Sequence, residues 1–346
     1  MRYVICLVLV LLNMTVPAGA AEISAPIVPD SGAEFMPEET ESFGDGLLSL
    51  LQKGIDLLQP ELRSAVGICV KIVSIALLFS LWPAVCRHTE RTFSAAFAAV
   101  IFILMFQYTD SLIRLASVTV EEICAYGKLL CPVMTTALAA QGAVTSSSAL
   151  YMGTTVFTAV LGSVIAKGFV PLVYGFLAIS AANSALGEEY LRKIGDNVKS
   201  LLGWALKTML ILFTSYMSIT GVVSGTTDAA ALKAAKVTIT TVVPVVGGIL
   251  SDASEAVLVS AGLIRNAAGV YGILAVLAIL LEPFLKIGVQ YLALKFTSAL
   301  CSVFAAKNIS ALVNDLSAAM GLLLAMLAAA GTMVLISTVC FLRGIG

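Results

Sequence analysis

The sequence predicts an all-α, polytopic helical membrane protein of about eight spans, and three observations carry that prediction. Of 346 residues, 59% are apolar and only 12% are charged, against roughly 25% charged in soluble globular domains. Mean hydropathy is +1.01. Apolar stretches of spanning length also recur from residue 65 to the end of the chain. A hydrocarbon core of about 30 Å needs about 20 apolar residues in helical form. Such a composition excludes an ordinary water-soluble enzyme. The net charge of −1 and pI near 5.9 provide no basic field to hold nucleic acid.

Residues 1–21 read as a signal peptide: Arg2 supplies a positive start, residues 3–16 an apolar centre, and residues 17–21 a small-residue cleavage region. An uncleaved anchor is the rival reading. Either way, the following segment begins on the outer face of the membrane. Residues 22–46 carry seven acidic residues, no Lys or Arg, and Pro26, Pro29 and Pro37. They read as an acidic, disordered extracytoplasmic linker. Over residues 47–62, Leu47, Leu48, Leu51, Ile55 and Leu58 share one helical face. That pattern fits an amphipathic helix on the membrane surface, or equally a helix packed on the protein's own spans.

Residues 63–346 form the polytopic domain. Clear spans are expected at 65–86, 92–108, 168–186, 201–223, 284–304 and 316–342, with two more at 149–166 and 267–281. The interrupted stretches 129–147 and 237–250 fit half-helices or re-entrant segments. Arg87 and Arg91 in a short loop suit the cytoplasmic side. Around Gly187–Lys199, opposite charges stand four apart at Glu188/Arg192 and Glu189/Lys193 beside an apolar face, as in an interfacial helix. Residues 305–315 look similar.

An internal repeat is expected from the prolines. Every proline after Pro83 has a partner 112 residues away: Pro132 with Pro244, and Pro171 with Pro283. Many transporters are built from repeats, with sites at broken helices between the halves. Here the breaks fall at Pro132 and at Pro244 with Gly247 and Gly248, where proline removes an amide donor and glycine frees the backbone. Those positions, with Pro171 and Pro283, are the pore or substrate-site candidates; plain packing kinks are the competing reading.

Ionisable groups inside spans are the other functional suspects. Glu282 and Lys286 stand four apart around Pro283 and are placed to pair on one helix face. Pairing for structure, or a face turned to water, competes with an ion or substrate site. Isolated lysines such as Lys71 and Lys207 are explained by snorkelling. Seven cysteines show no metal-type spacing, and the single histidine, His88, makes neither a metal site nor a catalytic constellation. No phosphate loop, zinc-protease or hydrolase motif occurs. The chain therefore reads as no enzyme, with no catalytic, cofactor-binding or metal site and no cofactor. Small residues crowd the last span, including Ala325, Ala329, Ala330 and Gly331, and allow close helix approach within the chain or between copies in a homo-oligomer.

Residues 243–272, VPVVGGILSDASEAVLVSAGLIRNAAGVYG, and 307–321, KNISALVNDLSAAMG, resemble the stage III sporulation protein AE family of endospore-forming bacteria. The resemblance extends over the chain from the signal peptide onward. It implies a multi-pass protein of the mother-cell membrane around the forespore, one subunit of a transenvelope channel or feeding-tube complex. Implied partners are other stage III sporulation membrane proteins, a forespore-membrane partner and the lipid bilayer; the implied role is support of late forespore gene expression. The alternative function is a stand-alone secondary transporter with its site at the broken helices.

Overall fold

The computed structural model describes residues 26–37, 43–81, 90–242, 247–304 and 307–343. Among them the fold is all helical, with no strand. The expected signal peptide, the 82–89 loop with Arg87 and His88, and Pro244 lie outside the described residues. After a single helical turn at Asp30–Ala33, the long helices are α1 (Phe43–Leu81), α2 (Glu90–Ala140), α3 (Val144–Val164), α4 (Val170–Leu186), α5 (Glu189–Val242), α6 (Gly247–Phe304) and α7 (Lys307–Arg343), with one π-helical turn at Ile165–Phe169 joining α3 to α4.

Helix continuity is the main departure from expectation. The expected span 92–108 shares α2 with the first part of the interrupted stretch 129–147, and the expected spans 267–281 and 284–304 share α6. The stretches 149–166 and 168–186 run on through the π turn. Among the described residues, five helical stretches are long and apolar enough to cross a membrane: Ala95–Ala140, Val144–Leu186, Glu189–Thr220, Leu258–Val303 and Lys307–Arg343. The estimate of eight counted each apolar stretch of spanning length as a separate crossing. Proline in a packed helix removes one hydrogen bond yet leaves the rod intact where neighbours support it. With 58 residues, α6 is about 87 Å long, well beyond one hydrocarbon thickness.

The two amphipathic pieces expected as separate interfacial helices are likewise ends of rods. Residues 189–199 open α5, and 307–315 open α7. Residues 47–62 continue through Pro60 into the apolar half of α1. Their predicted apolar face, with Leu48, Leu51 and Ile55, points outward, while Leu50 turns inward beside Leu274 and Ala278 of α6.

The α7 helix is the central post and packs against α2, α3, α4, α5 and α6. Its small residues serve packing within the chain: Ala319, Ala329, Ala330 and Gly331 are buried, and Gly331 admits Leu280 of α6. The α6–α7 hairpin is tied by reciprocal bonds, Ser298 Oγ to the Ser310 carbonyl (3.0 Å) and Ser310 Oγ to the Ser298 carbonyl (3.1 Å).

Residues 26–37 are ordered and packed, which corrects the reading of 22–46 as a disordered linker throughout. Val28 and Phe35 are buried, with Phe35 in a small cluster beside Leu50, Leu274 and Ala278. Ser31 Oγ donates to Glu122 Oε2 of α2 at 2.6 Å, and Lys53 Nζ donates to the carbonyls of Glu34 and Met36. Gly32 lies so close to α6 that an added Cβ would stand 2.6 Å from Ile279 Cγ1. The acidic composition hid two well-placed apolar anchors.

The 112-residue register is not reproduced by helix boundaries. The α2–α3 turn at Gln141, Gly142 (φ 90°) and Ala143 maps by that offset onto 253–255, inside α6. Membrane sequence rich in Ala, Gly and Val produces such coincidences readily.

Candidate functional site

The predicted pair forms and gains a third member. Pro283 lies inside an unbroken α6, and Lys286 Nζ stands 3.9 Å from Glu282 Oε1 one turn away. From α1, Glu61 Oε1 approaches the same ammonium at 3.7 Å. Two carboxylates therefore share one cation, at separations that are Coulombic rather than good hydrogen bonds. The Glu61 side chain is 19% exposed, that of Lys286 32% and that of Glu282 41%, so the cluster is half-buried. Tyr108 of α2 faces Glu61 and Ser64. One turn beyond Lys286, Gln290 is 1% exposed with both amide atoms unpartnered among the described residues, as is the hydroxyl of buried Thr109 beside Tyr108. Polar groups thus gather where α1, α2 and α6 meet. Glu61 was missed from sequence because its partner is 225 positions away; its only local signal is a carboxylate between Pro60 and an apolar run.

Of the remaining candidates, Pro244 lies outside the described residues, and the others sit on α2, α4 and α6. Pro132 sits within α2, and Pro171 occupies the first turn of α4 just after the π turn. Gly247 and Gly248 are the first residues of α6.

A second polar site occupies the end of the bundle where α4, α5 and α7 meet. The α4–α5 turn is made by Gly187, in the left-handed region at φ 71°, where an L side chain is strained. A cavity of about 100 Å³ there is lined by Ser180, Asn183, Arg192, Asp196, Asn314 and Asp315. A wider cleft of about 600 Å³ adjoins it, with Glu188, Lys193 and Lys307. Ser180 Oγ donates to Asp315 Oδ2 at 2.6 Å, Lys295 Nζ to Asn314 Oδ1 at 2.9 Å, and the expected Glu189–Lys193 pair forms at 3.4 Å. Both signs of charge are interleaved, so the cleft has no single-sign field.

A third element escaped sequence reasoning. Asp228 of α5 is 3% exposed and caps α3 from outside: its Oδ1 accepts the Thr145 N–H at 3.1 Å and its Oδ2 the Ser146 N–H at 2.7 Å. Burial alone would push its carboxyl up, but the bonds from Ser146 and Thr145 outweigh it and hold the group below the usual carboxylate range. Among the described residues, no three His, Cys, Asp or Glu side chains are grouped to hold a metal, and Cys69, Cys124, Cys131, Cys301 and Cys340 are free thiols.

The family model for stage III sporulation protein AE matches residues 39–343. The stage III sporulation protein AE of Bacillus subtilis (strain 168) is 23% identical over 189 residues, covering 54% of this chain and 47% of that protein. The aligned part thus spans about half the length of the curated relative. No solved structure matches.

Proposed function

The chain belongs to the stage III sporulation protein AE family, and from that premise we propose that it is a membrane subunit of the transenvelope channel complex linking mother cell and forespore. The observation that carries this reading is the family match over residues 39–343. The helical body supports it: the five stretches among the described residues that are long and apolar enough to cross a bilayer suit a multi-pass subunit of the mother-cell membrane around the forespore. In this reading the signal peptide exports the amino terminus, and the packed segment at 26–37 lies on the outer face. The chain contributes membrane architecture rather than catalysis, and its partners are other stage III membrane proteins and one from the forespore membrane. Affinity purification of the tagged chain from sporulating cells tests this. Recovery of those partners, absent from vegetative cells, supports the proposal; a chain recovered alone from both argues against it.

A stand-alone transporter is the second reading, favoured by the half-buried Glu61–Lys286–Glu282 cluster. It requires substrate uptake by the purified chain in liposomes and its loss in Glu282→Gln. A complex subunit is inert alone in that assay.

A further inference from the structure

A cleft of about 210 Å³ lies between α1 and α2; it shares Tyr108 with the polar cluster at Glu61 and lies away from the polar end of the bundle. Its walls are aliphatic, with Ile72 and Ile75 from α1 facing Ile101 and Leu104 from α2; only Lys71 and Tyr108 bring polar groups to it. Tyr108 marks one end, where its hydroxyl is hydrogen-bonded with Ser64 near the Glu61 carboxylate, while Ile75 and Ile101 lie toward the other. Leu104 is 55% exposed, so the cleft is open along its side rather than sealed. Lys71 is exposed and has no ion-pair partner among the described residues. Among the described residues, Lys71 is the one charged side chain lining the cleft, while the Glu61 carboxylate beyond Tyr108 faces Lys286 at 3.7 Å.

A cation and a phenol at the rim of an aliphatic trough match an amphiphile with an anionic head. Tyr is at home at the bilayer interface, and a lysine can carry its ammonium up to the headgroups along its own methylenes. We propose that this cleft is a site for one anionic phospholipid, with an acyl chain along the aliphatic walls and the phosphate at Lys71 and the Tyr108 hydroxyl. In a bilayer the trough itself selects weakly, because a lipid tail leaves one apolar surrounding for another. The headgroup charge supplies the preference, about fivefold for one lysine near the surface.

The test is native mass spectrometry of the full-length protein in detergent, titrated with phosphatidylglycerol and phosphatidylcholine of identical acyl chains. Wild type is expected to retain one phosphatidylglycerol about fivefold more strongly than phosphatidylcholine. Lys71→Ala removes that preference and leaves phosphatidylcholine retention as it was. Leu104→Trp, at an exposed position on the cleft wall, fills the cleft and lowers retention of both lipids. Lys207→Ala, an exposed lysine on α5, keeps the wild-type preference. Equal retention of the two lipids by wild type, an intact preference in Lys71→Ala, or a dimer that excludes lipid from the cleft would each overturn the proposal.

Discussion

Replacing Asp228 by Asn is a sharp probe of how the helices are held in register. In wild type one carboxylate accepts two backbone N–H groups at the start of α3, where Ala143 at the N-cap position offers no side-chain acceptor. Loss of an N-cap costs about 1 kcal/mol, and a hydrogen bond to a charged group contributes about 1.5–3 kcal/mol. Asn keeps one acceptor oxygen but turns an amide NH₂ toward the other donor. We expect about 1–2 kcal/mol lost in Asp228→Asn and about 2–3 kcal/mol in Asp228→Ala. Thermal unfolding in detergent, followed by tryptophan fluorescence, reads this as a lowered Tm in the order Ala below Asn below wild type. The pH dependence has a definite sign. A carboxyl held below its ordinary value contributes stability that is complete above its unfolded pKa of about 3.9 and fades as pH falls through the lower folded value. The gap between wild type and Asp228→Asn should therefore be constant from pH 8 to pH 5 and close only below about pH 4. Variants that unfold with wild type, or a gap that changes between pH 8 and 5, would refute the capping role.

Three further perturbations follow from the packing. Gly32→Leu drives a side chain into Ile279 and its backbone nitrogen, so residues 26–37 should leave α6 and become sensitive to limited proteolysis while the helical circular dichroism persists. Gly153→Val meets the Tyr216 ring across the α3–α5 contact and breaks the bond from the Tyr216 hydroxyl to the Ala149 carbonyl; overpacking of this kind costs about 1–3 kcal/mol, measurable as a fall in Tm that Gly153→Ala shows more weakly. Glu61→Gln, Lys286→Met and the double variant form a cycle whose coupling energy should be about 1 kcal/mol, given that the pair is half-buried and 3.7 Å apart. Additive single effects would show that the Glu61 contact does not contribute.

Different features of this chain were legible in the sequence for different physical reasons. The helical membrane class followed from composition, because so few charges leave no alternative solvent for the apolar faces. The Glu282–Lys286 pair followed from spacing alone, since four residues return a helix to the same face. The small residues of the last span pointed to close approach, and α7 uses them against α6. Helix boundaries were misread because Pro132 and Pro283 carry the local signal of a break, whereas tertiary packing decides whether the rod continues. Residues 26–37 were misread for a related reason. Val28, Gly32 and Phe35 acquire their role only against α6, some 250 positions along the chain. Glu61 and Asp228 belong to the same class, since each completes a site whose other half is distant in sequence.

The central claim, a subunit serving the forespore across the surrounding membranes, is tested most directly by deleting the gene in its native organism and following a late forespore reporter after engulfment. The account predicts that the signal is lost and that complementation with the wild-type gene restores it. Full reporter activity in the deletion strain would contradict it.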